Sequence, residues 1–441
     1  VRLRCKRNQA EFTNRFPQSQ HLFARPPDCA SGNGQLSVCG IKKYLFASEK
    51  LDKFVNKSGR DTAGIRPPTT ENPMIYHPYG TTGLQLSAIG FGGMRFLDQK
   101  DVEGCAALVK KAHDLGITYF DTAIGYGDSE AIFGAAFREM KKQRRERPFY
   151  VSTKTNKATA GEIRRELETS LKRMGLDYVD FYHVWCVMDK DSYLKRKLKG
   201  ALQAFEQLQR EGLIRHICVS SHQTGVEIEW MLQDYPFAGI LLGYSVMNYA
   251  YRDQGISAAA RLGRGVVIMN PLGGGIIPQH PQRFDFVRTR EEETVVQGAL
   301  RFLLNDARIT TALVGFSSEA QLEEAVAAAE GFAGLNAEAV EGIRSHLSTS
   351  FDELCTGCGY CDHCPVGVPV PKMMDSYNQF MLSGRPESIA ERLGWHWGIG
   401  RKSPVYDLCT ECGQCEEACT QKLPIRARLR EIREHVQKGR K

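Results

Sequence analysis

Phe120-Asp121-Thr122-Ala123-Ile124-Gly125-Tyr126-Gly127 follows the apolar, β-prone run Ile117-Thr118-Tyr119, so it reads as a strand end spilling into a Gly-rich loop. Side chains at the C-terminal ends of parallel barrel strands converge on one mouth. An Asp and a Tyr five residues apart at such a mouth offer a phenol able to give up a proton and a carboxylate to hold a neighbouring group. Such residues also serve as packing and turn residues, so their company along the chain decides between the two roles.

From Ala88 to about Gly331 that company is regular. Short β-prone runs recur at Ile89–Phe91, Ile117–Phe120, Phe149–Thr153, Tyr178–Val184, Ile214–Ser220, Ile240–Val246, Val266–Asn270 and Thr310–Gly315. Between them lie stretches of helical spacing such as Asp101–Leu115, Ser129–Lys141, Gly161–Met174, Leu198–Glu211, Glu292–Leu304 and Glu319–Glu330. Asp101 and Ser129 are expected as N-caps, and Gly116, Gly175 and Gly212 as residues just past helix ends. Eight strand–helix units predict an α/β fold, a (β/α)8 TIM barrel. An open doubly wound sheet is the alternative, weakened because Gly90-Phe91-Gly92-Gly93 lacks the rest of a Gly-x-Gly-x-x-Gly turn.

The flanks differ in character. Residues 1–73 carry the whole net charge of +7, the remainder being balanced, and contain the breakers Pro26-Pro27, Ser31-Gly32-Asn33-Gly34 and Pro67-Pro68. The first Met of the chain is Met74, which opens an expected hairpin turning at Thr82-Gly83. Residues 1–73 are therefore expected to be a disordered or non-native extension, with a basic interaction arm as the competing reading. The local charge gives no reason to propose nucleic-acid binding for the body of the protein. No apolar run approaches the ~20 residues of a membrane span, and Val1 to Arg7 is not followed by a signal-peptide core. No membrane association and a cytoplasmic location are the expectations.

Eight of the 14 cysteines lie between Cys355 and Cys419. Cys355, Cys358, Cys361 and Cys364 form one run, and Cys409, Cys412, Cys415 and Cys419 the second. Three cysteines at x2 spacing suit one cubane, and in two-cluster ferredoxins the fourth Cys of each run ligates the other cluster. This assigns Cys355, Cys358, Cys361 and Cys419 to one [4Fe–4S] cluster, and Cys409, Cys412, Cys415 and Cys364 to a second. Zinc is the rival for any Cys-x-x-Cys pair, although two near-repeated sets of four favour clusters. Pro365–Leu408 is expected to be partly helical, and His363 to lie outside the ligand set. Cys5, Cys29, Cys39, Cys105, Cys186 and Cys218 read as unligated. The domains expected are thus 1–73, a barrel over 74–345 and a ferredoxin-like iron–sulfur domain over 346–441.

Lys154 ends the third expected strand, one strand after Asp121. An ammonium within reach of a carboxylate and a phenol would stabilise a phenolate and lower the Tyr pKa. Phe120-Asp121-Thr122-Ala123-x-x-Tyr126-Gly127 followed by Ser152-Thr153-Lys154 resembles the Asp/Tyr/Lys part of the aldo-keto reductase tetrad. The likeness extends from the Met74 hairpin through Pro271-Leu272-Gly273-Gly274-Gly275 to Leu313-Val314-Gly315-Phe316-Ser317. It implies NAD(P)H-dependent reduction of a small-molecule carbonyl, with Tyr126 protonating the oxygen, Lys154 tuning Tyr126 and Asp121 pairing with Lys154. The cysteine tail resembles that of members with a C-terminal two-cluster domain.

The fourth tetrad member departs from the family. In Asp180-Phe181-Tyr182-His183-Val184-Trp185-Cys186 the usual His position holds Trp185, and His183 lies two residues earlier. Period-two alternation turns His183 and Trp185 the same way, one layer apart, so His183 either reaches the substrate oxygen or is a core histidine.

By resemblance, Ser220 and Ser221 hold the cofactor carboxamide, and Asn270, Pro271, Leu272 and Gly273 the pyrophosphate side. Gly315, Ser317, Gln321 and Glu324 would hold the adenosine end, without the family's frequent cation after Gly315, which leaves NADP and NAD both open. Loops Val187–Lys197 and Gly274–Thr289 would line the substrate pocket. Hydride moves two electrons and each cluster accepts one, and no flavin fingerprint is present. Two readings follow: a carbonyl reductase whose clusters shape or regulate the barrel, or an electron-transfer protein docking a redox partner.

Overall fold

The computed structural model describes residues 74–247, 249–347, 353–355, 357 and 359–438. The expectations for residues 1–73, Cys5, Cys29, Cys39 and Cys358 lie outside the described residues.

The chain opens on an antiparallel hairpin of β1 (Tyr76–Pro78) and β2 (Gln85–Ser87). Eight parallel strands follow: β3 (Ile89–Gly92), β4 (Tyr119–Asp121), β5 (Tyr150–Thr155), β6 (Val179–Val187), β7 (Ile214–Ser221), β8 (Gly239–Gly243), β9 (Gly265–Met269) and β10 (Thr311–Val314). They pair in sequence order, and β10 closes on β3. Closure excludes the open doubly wound sheet. The last strands of the pattern start or stop within a few residues of their expected bounds. Asp121 and Lys154 fall inside strands, which fixes their direction more firmly than a loop would.

Alternation sorts the strand residues onto two faces. In β4, Phe120 points outward into an aromatic layer with Phe91, Phe133, Phe137 and Phe149, while Tyr119 lies with the barrel interior. The hairpin plugs the N-terminal end of the barrel with Tyr79, which is fully buried and packs on Phe181 at 4.5 Å. A Cβ at Gly239 or Gly265 would fall 1.9 or 2.4 Å from the Tyr79 ring or its hydroxyl, so those strand positions need glycine.

Helices alternate with the strands, as in Val102–Asp114 and Ala160–Met174. Asp101 caps the former by accepting from the Gly104 N–H, and Gly175 (φ 64°) ends the latter. Ser129, expected as an N-cap, is instead the first helical residue after Asp128, its hydroxyl 2.9 Å from Thr122 Oγ1. The stretch expected as Leu198–Glu211 forms one helix, Ala201–Arg210, starting after Gly200 (φ 81°), and a further helix, Lys190–Leu198, precedes it.

The cysteine-rich region has its own buried core, including Val370, Met373, Ile389, Leu393 and Ile425. Helix Val370–Ser383 lies between the cysteine runs, and Ile425–Lys438 closes the domain. None of the described helices is long and apolar enough to cross a membrane.

Candidate active site and iron–sulfur ligands

Registered pairing brings the predicted groups onto adjacent strands: Asp121 opposite Ser152, and Lys154 opposite His183. Lys154 Nζ donates to Asp121 Oδ1 and to the Thr122 carbonyl, both at 2.6 Å. Ser152 Oγ donates to the other carboxylate oxygen at 2.7 Å. Lys154 and Asp121 are 1% and 2% exposed, so neither ion has water to fall back on. Burial pulls the Lys154 pKa down, and Asp121 works against that shift.

Lys154 Nζ lies 5.1 Å from the centre of the Tyr126 ring, over its face. The phenol pKa is raised, first by burial and then by Asp121 and Cys186. The sequence-based expectation of a lowered value is therefore reversed: spacing predicts the ammonium but not the burial, and burial dominates. At neutral pH Tyr126 holds its proton.

Trp185 packs edge-on against Tyr126, with ring centres 5.7 Å apart. A Cβ at Gly125 would meet the indole at 3.0 Å, so the glycine makes room for that wall. The β6–β7 register shifts between Val184 and Val187, and Cys186 has φ 58°. His183, a layer deeper, is fully buried, and neither ring nitrogen completes a hydrogen bond. Burial and then the Lys154 charge push its pKa down to about 3, against a weaker pull from the Val219 backbone. A neutral imidazole at all ordinary pH is the result.

Ser220 is 1% exposed with its hydroxyl unpartnered. Ser221 Oγ instead contacts the Val187 carbonyl and Gln223 Oε1 at 3.2 and 3.0 Å, and so is turned into the wall. A cavity of about 250 Å³ gathers Asn270, Pro271, Leu272, Gly315, Ser317, Gln321 and Glu324. Gly273 (φ 61°) lies behind it, buried against Met247. Ser317 N–H donates to Gln321 Oε1, and Ser317 Oγ to the Arg95 carbonyl. Arg95 also lines this cavity, a cation that the sequence reading missed because it comes from the loop after β3 and follows no pattern. The unpartnered Ser220 hydroxyl and the cavity from Asn270 to Glu324 fit an extended dinucleotide.

Of the expected cluster ligands, Cys355, Cys361 and Cys419 are 8%, 8% and 7% exposed and belong to the small domain's core. Cys364, Cys409 and Cys415 are half-buried and Cys412 is exposed. Backbone N–H groups of Gly357, Glu411 and Leu423 point at the sulfurs of Cys355, Cys409 and Cys419, at 3.4–3.5 Å. Gly357, Gly359 and Gly413, next to the thiols in sequence, adopt left-handed φ of 67°, 81° and 83°. Thiols receiving amide hydrogen bonds fit iron–sulfur ligation, where such bonds stabilise sulfur charge. Among the described residues, which omit Cys358, no three His, Cys, Asp or Glu side chains converge at single-ion spacing. Of the other expected residues, His363 is exposed, Cys105 Sγ donates to the Asp98 carbonyl, and Cys218 meets the Tyr79 hydroxyl.

A closed parallel barrel with a buried carboxylate–ammonium pair beneath a phenol, joined to a cysteine-lined domain, defines an oxidoreductase with an appended iron–sulfur module. The chain belongs to the aldo/keto reductase family, whose model matches residues 88–348, and residues 354–425 match a 4Fe-4S dicluster domain. The family uses NADP(H), and the dicluster domain carries iron–sulfur clusters. Among curated relatives, L-galactose dehydrogenase of Arabidopsis thaliana is 28% identical over 56% of this chain and 86% of its own. L-glyceraldehyde 3-phosphate reductase of Escherichia coli is 28% identical over 59% of this chain and 89% of its own. The fold resembles that of aldo-keto reductase AKR11C1 from Bacillus halodurans (holo form), with TM-score 0.53 and 23% identity over 63% of this chain and 97% of that chain.

Proposed function

We propose that the protein reduces the carbonyl of a small sugar-like substrate with NADPH, Tyr126 serving as the acid. The observation that carries this is the sealed Asp121–Lys154 pair beneath the Tyr126 ring. Bound NADPH would supply the hydride to the carbonyl carbon. Tyr126, protonated at working pH, gives its proton to the oxygen. The ammonium of Lys154 stabilises the phenolate left behind, and Asp121 keeps that ammonium charged and aimed. His183, neutral and with free ring nitrogens, is the polar group available to orient the oxygen. Trp185 supplies an apolar wall on which a sugar face can rest. The names of the two relatives, both acting on sugars or sugar phosphates, support the substrate class. Ser220 would hold the carboxamide, and Asn270 to Gly273 with Gly315, Ser317, Gln321 and Glu324 the remainder of the cofactor. The test is anaerobic NADPH and NADH oxidation by cluster-loaded protein with aldoses and aldehydes, beside Tyr126→Phe. Loss of ~10²–10⁴-fold in the variant is expected, and no turnover by the unaltered protein would overturn the reading.

A second reading concerns the clusters, which offer one-electron sites. The half-exposed Cys364, Cys409 and Cys415 and the exposed Cys412 support exchange with a redox partner protein through the second cluster. Cysteine runs of the kind that ligate iron–sulfur clusters support a reducing compartment such as the cytoplasm. Anaerobic titration with one-electron acceptors tests this, and a second cluster that exchanges no electrons with them would refute it.

A further inference from the structure

We propose that Tyr360 and Arg392 are positioning residues through which the first iron–sulfur cluster sets the affinity of the barrel for NADP(H). This rests on the reading above that NADP(H) lies along Ser220 and the Asn270–Glu324 cavity.

The iron–sulfur domain touches the cofactor site at both ends. At the β7 end, the Tyr360 ring meets the His222 ring at 4.3 Å between centres, tilted by 70°. His222 follows the Ser220–Ser221 pair and is 4% exposed. Its backbone is already fixed: its N–H donates to the Val187 carbonyl, and its own carbonyl accepts from Arg252 Nη2. The side chain is what the iron–sulfur domain reaches. Around it, Ser220 Oγ, His222 Nε2 and Gln223 Nε2 are buried without hydrogen-bond partners. Buried polar atoms are rarely left unpaired. Three together, one of them an amide donor, mark a subsite for a ligand of mixed donor and acceptor character, the carboxamide end of the cofactor.

At the β9 end, Arg392 Nη2 donates to Gln279 Oε1 at 3.2 Å. Gln279 closes the short helix Ile276–Gln279, and Pro278 with Gly274 and Gly275 lines the cofactor cavity. Arg392 is held in turn by Asp375, whose carboxylate also accepts from Trp397 Nε1.

Both contacts depend on the first cluster. Tyr360 adjoins Cys361, one of three ligands buried in the domain core. Cys355 is fastened to helix Val370–Ser383 by reciprocal hydrogen bonds with Asn378, and Asp375 sits on the same helix. Cys355, Cys361 and Cys419 are part of the buried core of the domain, so ligation and packing of that core are coupled. Loss of the cluster frees Tyr360 and the Asp375–Arg392 arm together. Linkage is reciprocal: if the cluster tightens NADP(H) binding, NADP(H) protects the cluster. No electron need pass between them.

The experiment measures NADP+ and NADPH dissociation constants anaerobically on the full chain, cluster-loaded and chelator-stripped. It includes loaded Tyr360→Ala, Tyr360→Phe and Gln279→Ala, each checked for iron and sulfide content. Loaded protein should bind about 5- to 150-fold more tightly than stripped. Tyr360→Ala and Gln279→Ala should weaken binding, and Tyr360→Phe, which keeps the ring, should restore it. NADP+ should also change the visible circular dichroism of the clusters and slow their bleaching by chelator. Equal affinity in loaded and stripped protein, or unaltered affinity in loaded Gln279→Ala and Tyr360→Ala, overturns the inference alone. If Tyr360→Ala fails to load, Gln279→Ala and the stripped protein decide it. Absence of NADP(H) binding by loaded protein overturns the functional reading and this inference with it.

Discussion

Lys154 Nζ and Asp121 Oδ1 lie 2.6 Å apart with both side chains sealed from solvent. The pair is held by complementary hydrogen bonds, from Ser152 to the carboxylate and from Lys154 to the Thr122 carbonyl. Removing one partner strands the other as a buried charge. Asp121→Asn and Lys154→Met should each lower stability by about 3–5 kcal/mol, and the double variant by much less than their sum. Thermal or urea unfolding of the four proteins checks this. Both single variants should also lose carbonyl reduction, since the phenolate would lack its counter-charge or that charge its anchor.

His183 makes a pH prediction with a definite sign. Its pKa is about 3 in the folded chain against 6.5 for a free histidine. Between those values the unfolded chain binds the extra proton, so stability rises with pH across the window and is lost as pH falls through it. The His183 contribution is complete above pH 6.5. At pH 4.5 the loss attributable to this residue is of order 2–3 kcal/mol. Denaturant titrations at several pH values should show a shallower acid slope for His183→Phe. His222, whose pKa burial and then Arg252 also push down, acts in the same direction, so the slope should be reduced and not abolished.

How much of this was legible in the chain depends on the range of the signal. The eight strands announced themselves through local β-prone runs, and Asp121, Tyr126 and Lys154 through their positions at strand ends. Alternation set His183 and Trp185 one layer apart, but the contact of Trp185 with Tyr126, which crosses from β6 to the loop after β4, left no local trace. Tyr126 illustrates a second limit. Its charged neighbours could be read from spacing, but the burial that governs its pKa is a tertiary property. The contact of Tyr360 with His222 joins residues far apart in sequence and leaves no local trace.

The two cysteine sets differ in exposure, so they should fail in different ways. Cys419→Ser removes a thiol from the core of the small domain, whereas Cys412→Ser alters an exposed one. With the ligand assignment proposed for the two clusters, Cys419→Ser should lower iron content and expose the domain to proteolysis. Cys412→Ser should lose about one cluster and leave the domain folded. Under air, the more exposed second cluster should bleach first. Iron analysis with time-resolved visible spectra distinguishes them, and equal bleaching rates would contradict the expected order.

Arg95 is expected to influence the choice between the two nicotinamide cofactors. One cavity brings it together with Ser317, Gln321 and Glu324. Its backbone carbonyl is fixed by Ser317 Oγ at 2.7 Å, and a Cβ at Gly315 would come within 2.6 Å of its side chain. Arg95 therefore lines this cavity from a held backbone, and on the proposed cofactor placement it is the cation available to a ribose 2′-phosphate. Guanidinium suits phosphate through bidentate hydrogen bonding, while the Glu324 carboxylate opposes a dianion. The two residues push selectivity in opposite directions. Arg95→Ala should raise KM for NADPH about tenfold, as expected for loss of one charge-assisted contact, and leave KM for NADH nearly unchanged. Glu324→Gln should lower KM for NADPH, with the opposite or no effect for NADH. Steady-state kinetics with both cofactors, at low and high salt, checks the pair. The Arg95 effect should shrink as salt screens this exposed site, and a KM shift equal for both cofactors would remove Arg95 from the phosphate site.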